Sequence, residues 1–222
     1  MKGKVILMTG MIAAILGLVG VCANVGEAAA EVGPAGEGTI VALGDSLTAG
    51  FGVKEKESYP VRLEKRLHES GHRWRVINSG VCGETSGDVL ARIDEVLKLR
   101  PDIVILEIGV NDAFRGIEPR LIQMNIDETV RILKSRGITV VLTGMRTPTG
   151  SASGYNEGFA AIYPAVAMEH GLILVPFFLA GVAGDPSLNK ADGIHPVAKG
   201  YRIVAETVYP YVLRAIDGKR EK

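Results

Sequence analysis

Thr39-Ile40-Val41-Ala42-Leu43-Gly44-Asp45-Ser46 decides how the rest of the chain is read. Its first five residues are short, β-branched and almost without polar interruption, the pattern of a strand covered on both faces. Gly-Asp-Ser then ends the run abruptly and leaves a hydroxyl at the strand's C-terminal end. Four further runs repeat the pattern: Arg75–Asn78, Ile103–Ile108, Thr139–Leu142 and Leu172–Val175. Helical periodicity fills the intervals. Tyr59, Leu63 and Leu67 recur every four residues, with Gly71 in a C-cap position. Pro119 stands at a helix N1 position, Ile122, Ile126, Val130 and Leu133 share one face, and Gly137 closes the helix. Weaker patterns cover Ser86–Leu99, Tyr155–His170 and Pro196–Ile216, the last expected to kink or divide at Pro210.

Strands alternating with helices give an α/β fold, an open five-stranded parallel sheet with helices on both faces. Right-handed crossovers bring every strand C-terminus to one edge, and ligands bind beyond that edge at the topological switch point. Three motifs sit there: Gly44-Asp45-Ser46, Gly109-Val110-Asn111-Asp112, and Asp192-Gly193-Ile194-His195-Pro196.

Each motif offers one part of an acyl-transfer site. Ser46 is the candidate nucleophile, and it needs a neighbouring base. His195 is the candidate base, since Asp192 three residues earlier can reach its Nδ1 across a tight glycine turn. His68, His72 and His170 lie at helix ends and read as surface or capping groups. The Ser46 N–H, the Gly83 N–H and the Asn111 side-chain amide are candidate donors to an oxyanion. Each residue also has a plain structural reading. Ser46 and Asp45 serve as cap or turn residues, Asp192–His195 as a local turn bond, Asn111 as an Asx turn, and Gly83 as a positive-φ position. Four such signals on one sheet edge point together to a catalytic site.

The remaining composition narrows the possibilities. With 222 residues and a formal net charge of +0, the chain suits one domain and carries no basic stripe for nucleic acid. Lys2 and Lys4, an uncharged stretch from Val5 to Gly26 and the small residues around Ala28–Ala30 read as an export signal over residues 1–30. An uncleaved membrane anchor is the alternative. Residues 31–38 read as a linker and 39–222 as the domain. Cys22 falls in the signal, which leaves Cys82 as an unpaired, buried small hydrophobe in a mature domain without disulfides.

From Thr39 to Ile216 the chain resembles the SGNH (GDSL-type) hydrolases, and within them the bacterial arylesterase / acyl-CoA thioesterase I / lysophospholipase L1 group. The residues that carry the likeness are Gly44-Asp45-Ser46-Leu47-Thr48-Ala49-Gly50, Gly83-Glu84-Thr85-Ser86, Glu107-Ile108-Gly109-Val110-Asn111-Asp112, Tyr155-Asn156-Glu157, Ala161-Ile162-Tyr163-Pro164, Pro176-Phe177-Phe178 and Asp192-Gly193-Ile194-His195-Pro196. The resemblance implies a three-layer, flavodoxin-like α/β/α fold with Ser46 as nucleophile, His195 as base and Asp192 as its orienter. It also implies an oxyanion hole at Ser46, Gly83 and Asn111, with no cofactor and no metal. It departs from several relatives at Val110, where they carry glycine, at Glu84, where they carry aspartate, and at Thr147 before Pro148, where an apolar residue is common.

The loops Ala113–Glu118 and Thr147–Tyr155 should wall the acyl pocket, and Phe114, Ile117, Phe159 and Ile162 suggest an apolar groove. The expected function is an exported, periplasmic or secreted hydrolase of small acyl esters, thioesters or lysophospholipids. It would be a monomer making transient contact with membrane lipid. A carbohydrate O-acetyl esterase on the same scaffold is the rival enzyme. A non-catalytic binding module is the rival class, although no phosphate-binding glycine loop follows the first strand.

Overall fold

The computed structural model describes residues 36–147 and 153–220. The export signal, most of the linker and part of the Thr147–Tyr155 loop lie outside the described residues. Among the described residues no helix is long and apolar enough to cross a membrane.

The five strands are β1 (Gly38–Gly44), β2 (Trp74–Gly80), β3 (Ile103–Glu107), β4 (Thr139–Thr143) and β5 (Ile173–Val175). They form one parallel sheet in the order β2-β1-β3-β4-β5. The double burial expected of such strands is met at its centre. Ile40 to Leu43 of β1 and Ile103 to Leu106 of β3 have no exposed surface. Covering so much aliphatic surface, at about 25 cal/mol per Å² of apolar area, is the main force that assembles the layers.

The helices are α1 (Ser46–Ala49), α2 (Tyr59–Glu69), α3 (Ser86–Ala91), α4 (Ile93–Lys98), α5 (Val110–Phe114), α6 (Pro119–Ser135), α7 (Ser153–His170) and α8 (Ala198–Arg220). In α2, Tyr59, Leu63 and Leu67 are buried against the sheet, and in α6 Ile122, Ile126, Val130 and Leu133 are. Helix α2 packs beside α8, and α6 packs between α3 and α7, so the two groups cover opposite faces.

Three expectations are corrected here. The Ser86–Leu99 pattern is two helices, because Arg92 leaves the helical path and turns its guanidinium back to Ser79 and Glu84. Pro210 does not divide α8, since Val204, Val208, Val212 and Ile216 are buried on both sides of it and hold one face to the core. The last helix begins at Ala198, not Pro196, which instead bridges to Asn189 in an antiparallel pair.

In the order β2-β1-β3, the chain leaves β1 toward one side and returns from β3 toward the other. The carboxyl ends of β1 and β3 are therefore the switch point. Their register pairs Gly44 with Glu107 and, across β1, with Gly80. Ser46 and Asn111 follow directly from these two ends.

Candidate active site

Strand β1 ends at Gly44, and Asp45 caps α1, its Oδ1 accepting the Leu47 N–H at 2.9 Å. The cap holds the first turn rigid and sets Ser46 at its opening. There the Ser46 N–H precedes any intrahelical partner, as the first amides of a helix do. Ser46 Oγ lies 2.9 Å from His195 Nε2.

His195 arrives from the loop before α8, and the loop shapes itself. Gly193 adopts φ +71° and its N–H bonds the Lys190 carbonyl, while the Lys190 N–H bonds the His195 carbonyl at 2.8 Å. Asp192 Oδ1 accepts the Ile194 and His195 N–H groups at 2.9 and 3.0 Å, which leaves Oδ2 for His195 Nδ1 at 2.9 Å. Partial burial works against the Asp192 charge. The two backbone donors and the imidazole outweigh it and hold the carboxyl at about 2. The Phe51 ring packs at 52° to the imidazole with centroids 4.7 Å apart, restricting the histidine from one side.

Loop and helix geometry bring in the candidate oxyanion donors. Gly83 has φ +84° and lines the same cleft as Ser46 and His195. Its carbonyl is held by Arg115 Nη2 at 2.8 Å. Gly109, the cap of α5, has φ +116°, and a Cβ there would collide with the Tyr163 hydroxyl, so glycine lets β3 turn into α5. Asn111 in that turn sends Nδ2 to Asp45 Oδ2 at 3.0 Å and to the Glu84 carbonyl at 2.9 Å. The turn is braced behind by Asp112, which accepts the Ser86 N–H and hydroxyl at 2.8 and 2.6 Å.

Glu84, where the sequence departs from several relatives, holds the loop that carries Gly83. Its carboxylate takes Arg92 Nε and Nη2 at 2.6 Å each, and the same guanidinium donates to the Ser79 hydroxyl and carbonyl at 2.9 and 2.8 Å. This fork-on-fork pair is only 15% and 11% exposed, so it ties the end of β2 to the start of α3.

The cleft holds about 230 Å³ and is lined by Ser46, Gly83, Asn111 and His195 with Phe51, Val110, Phe114 and Ile194. Of the residues expected to form a groove, Phe114 does so and is 51% exposed. Phe159 and Ile162 are fully buried core residues, because this face of α7 lies on the sheet. Phe51 was not singled out in the sequence, and Ile194 only as part of the Asp192–Pro196 motif and not as a wall of the cleft.

Cys82 also lines the cleft; it is half-buried and disulfide-bonded, where the sequence suggested a lone buried thiol. Cys22 lies outside the described residues. His170 is not a free capping group: its Nε2 lies 2.6 Å from Asp127. With Glu169 these two form the one cluster among the described residues whose donors could share a metal ion. It sits on α6 and α7, and neither of those helices supplies Ser46, Asn111 or His195.

The Ser46 hydroxyl, the His195 imidazole, the Asp192 carboxylate and apolar walls thus meet at the switch point. The chain matches the GDSL-like Lipase/Acylhydrolase family over residues 42–203. It is 36% identical over 173 residues to the Esterase TesA of Pseudomonas aeruginosa, covering 78% of this chain and 86% of that protein. It is 32% identical over 169 residues to the Thioesterase 1/protease 1/lysophospholipase L1 of Escherichia coli K12, covering 76% and 80% of the two. A solved structure of the psychrotrophic esterase EstA from Pseudoalteromonas sp., inhibited by monoethylphosphonate, superposes with a TM-score of 0.77 at 26% identity, covering 82% of this chain and 100% of that one. The chain belongs to the GDSL-like (SGNH) lipase/acylhydrolase family and is a serine ester hydrolase.

Proposed function

We propose that this protein is an exported hydrolase of acyl esters and thioesters, including lysophospholipids, that works through an acyl-enzyme on Ser46. The observation that carries the reading is the unbroken line Asp192 Oδ2, His195 Nδ1, His195 Nε2, Ser46 Oγ, with 2.9 Å at each hydrogen bond. His195 Nε2 takes the Ser46 proton as Oγ bonds the acyl carbon. The carbonyl π electrons move to its oxygen, which faces the Ser46 and Gly83 N–H groups and the Asn111 amide. Collapse expels the alkoxide or thiolate, which receives the proton back from His195. Water repeats the cycle on the acyl-enzyme and releases the acid. Asn111 joins in by turning one amide proton from the Glu84 carbonyl to the oxyanion, while the buried Asp45 bond keeps the nitrogen in place.

The walls of Phe51, Val110, Phe114 and Ile194 favour an acyl chain over a sugar. Export rests on the sequence of residues 1–30, and thioester and lysophospholipid substrates on the names of the relatives. Residues 39–222 assayed with p-nitrophenyl esters from acetate to palmitate should show kcat/KM peaking beyond acetate. A rate confined to acetate would instead support carbohydrate O-deacetylation. Detection of the full-length precursor only, with residues 1–30 retained in the cytoplasm, would contradict export.

A further inference from the structure

Beneath Ser46 lie two carboxyl groups that neither give nor take a proton in the proposed cycle. Asp45 and Glu107 are both without exposed surface. Asp45 directly follows the end of β1 and Glu107 closes β3, at the register point where Gly44 pairs with Glu107. The residue beside Asp45 already packs tightly on Glu107: a Cβ at Gly44 would lie 2.7 Å from Glu107 Oε2 and would clash with the Glu107 carbonyl.

The donors around them are few and specific. Asp45 accepts the Leu47 N–H on Oδ1 and the Asn111 amide on Oδ2. Glu107 Oε2 accepts the Thr48 hydroxyl at 2.8 Å, and its Oε1 accepts no donor. Among the described residues no lysine or arginine pairs with either group. Asp112 on α5 and Glu84 before α3 add negative charge nearby, and the hydroxyls of Tyr59 on α2, Tyr163 on α7 and Tyr201 on α8 complete the surroundings. Two bare carboxylates cannot share such a site, since the uncompensated charge would cost more than the fold can supply.

We propose that Asp45 and Glu107 are positioning residues that hold one proton between them, kept on Glu107, so that the Asp45 carboxylate can fix the Asn111 amide and the first turn of α1 for catalysis. The inference rests on the Ser46 reading and deepens it. An ionised Asp45 meets the Leu47 N–H and the Asn111 amide with a full acceptor on each oxygen, whereas a proton on either oxygen weakens that acceptor and competes with the donor facing it. Only a protonated Glu107 leaves that charge unopposed across the strand pair.

The titration directions agree. Burial first, then the Asp45 charge, pushes Glu107 well above the carboxylate range, and burial raises Asp45 to about 7 against the pull of its donors. As pH falls through about 7, Asp45 takes up its proton and Asn111 loses its anchor, so the pair adds an acid limb to turnover.

The test uses the whole protein and four variants. Glu107→Gln mimics the neutral acid and should keep kcat at pH 8 within about twofold of wild type. Glu107→Leu removes the donor facing Asp45 and should move the acid limb of kcat upward in pH. Asp45→Asn should lower kcat roughly 10–100-fold with KM little changed, the scale of losing an oxyanion donor. An infrared band from a protonated buried carboxyl should be present at pH 8 and lost in Glu107→Gln. Absence of that band in wild type, or an unaltered kcat in Asp45→Asn, would overturn the proposal. Wild-type turnover that persists in Ser46→Ala would instead overturn the reading beneath it, so the two failures are separable.

Discussion

Ser46→Ala is expected to lower kcat by roughly 10⁴–10⁶-fold, leaving only what binding and the oxyanion donors supply. The loss follows from the proposed chemistry: without Oγ there is no atom to carry the acyl group, and His195 Nε2 has no proton to take. The fold should be indifferent. The Ser46 side chain makes one hydrogen bond, to His195, and α1 is capped by Asp45, not by the serine. Thermal unfolding of the variant should therefore match wild type within about 1 kcal/mol, the range of substitutions that touch neither core nor cap. Kinetics and melting measured on one preparation separate a missing nucleophile from a damaged protein.

Asp192→Asn should lower kcat by about 10⁴-fold, for a reason specific to this loop. Asp192 Oδ1 is bound by two backbone N–H groups, of Ile194 and His195. An asparagine must keep its oxygen there, so its NH₂ faces His195 Nδ1. The ring then becomes an acceptor at Nδ1 and carries its proton on Nε2, aimed at Ser46. In that tautomer it cannot take the serine proton. His195→Ala should fall to a similar level, and the double variant little further, since the two act as one unit.

The sign of the pH effect is equally defined. The Asp192 carboxyl titrates at about 2, below the ordinary aspartate value of 3.8. Its ionised form thus stabilises the fold above the unfolded value, and that contribution is lost as pH falls from about 4 through about 2. Acid unfolding of Asp192→Asn should lack this component. Any acid limb of the rate above that window belongs to other groups.

The sheet was legible because its strands are buried on both faces. Nothing polar interrupts Ile40–Leu43 or Ile103–Leu106, so each strand was located to within two residues at either end. That Ser46, Gly83 and Asn111 share one edge was legible because they follow the C-terminal ends of β1, β2 and β3, and the Asp192–His195 contact was legible from its three-residue spacing across a glycine turn. What the sequence hid depends on long-range contact. Arg92 splits a helical pattern only because Ser79 and Glu84 reach it from β2 and the following loop. Phe159 and Ile162 share their apolar character with groove residues, and only the packing of α7 shows which they are. The Asp45–Glu107 pair needs the β1–β3 register. Its one trace in the sequence is a glutamate closing an otherwise apolar strand, Ile103-Val104-Ile105-Leu106-Glu107.

The central claim is that the acyl group is carried on Ser46, and covalent trapping addresses it without a substrate assumption. The protein would be treated with an alkyl fluorophosphonate, digested, and mapped by mass spectrometry. One phosphonyl adduct on the Ser46 peptide, formed together with loss of esterase activity and absent from Ser46→Ala, is the predicted result. An adduct on another residue that accounts for the lost activity, or full esterase activity with Ser46 modified, would contradict the account.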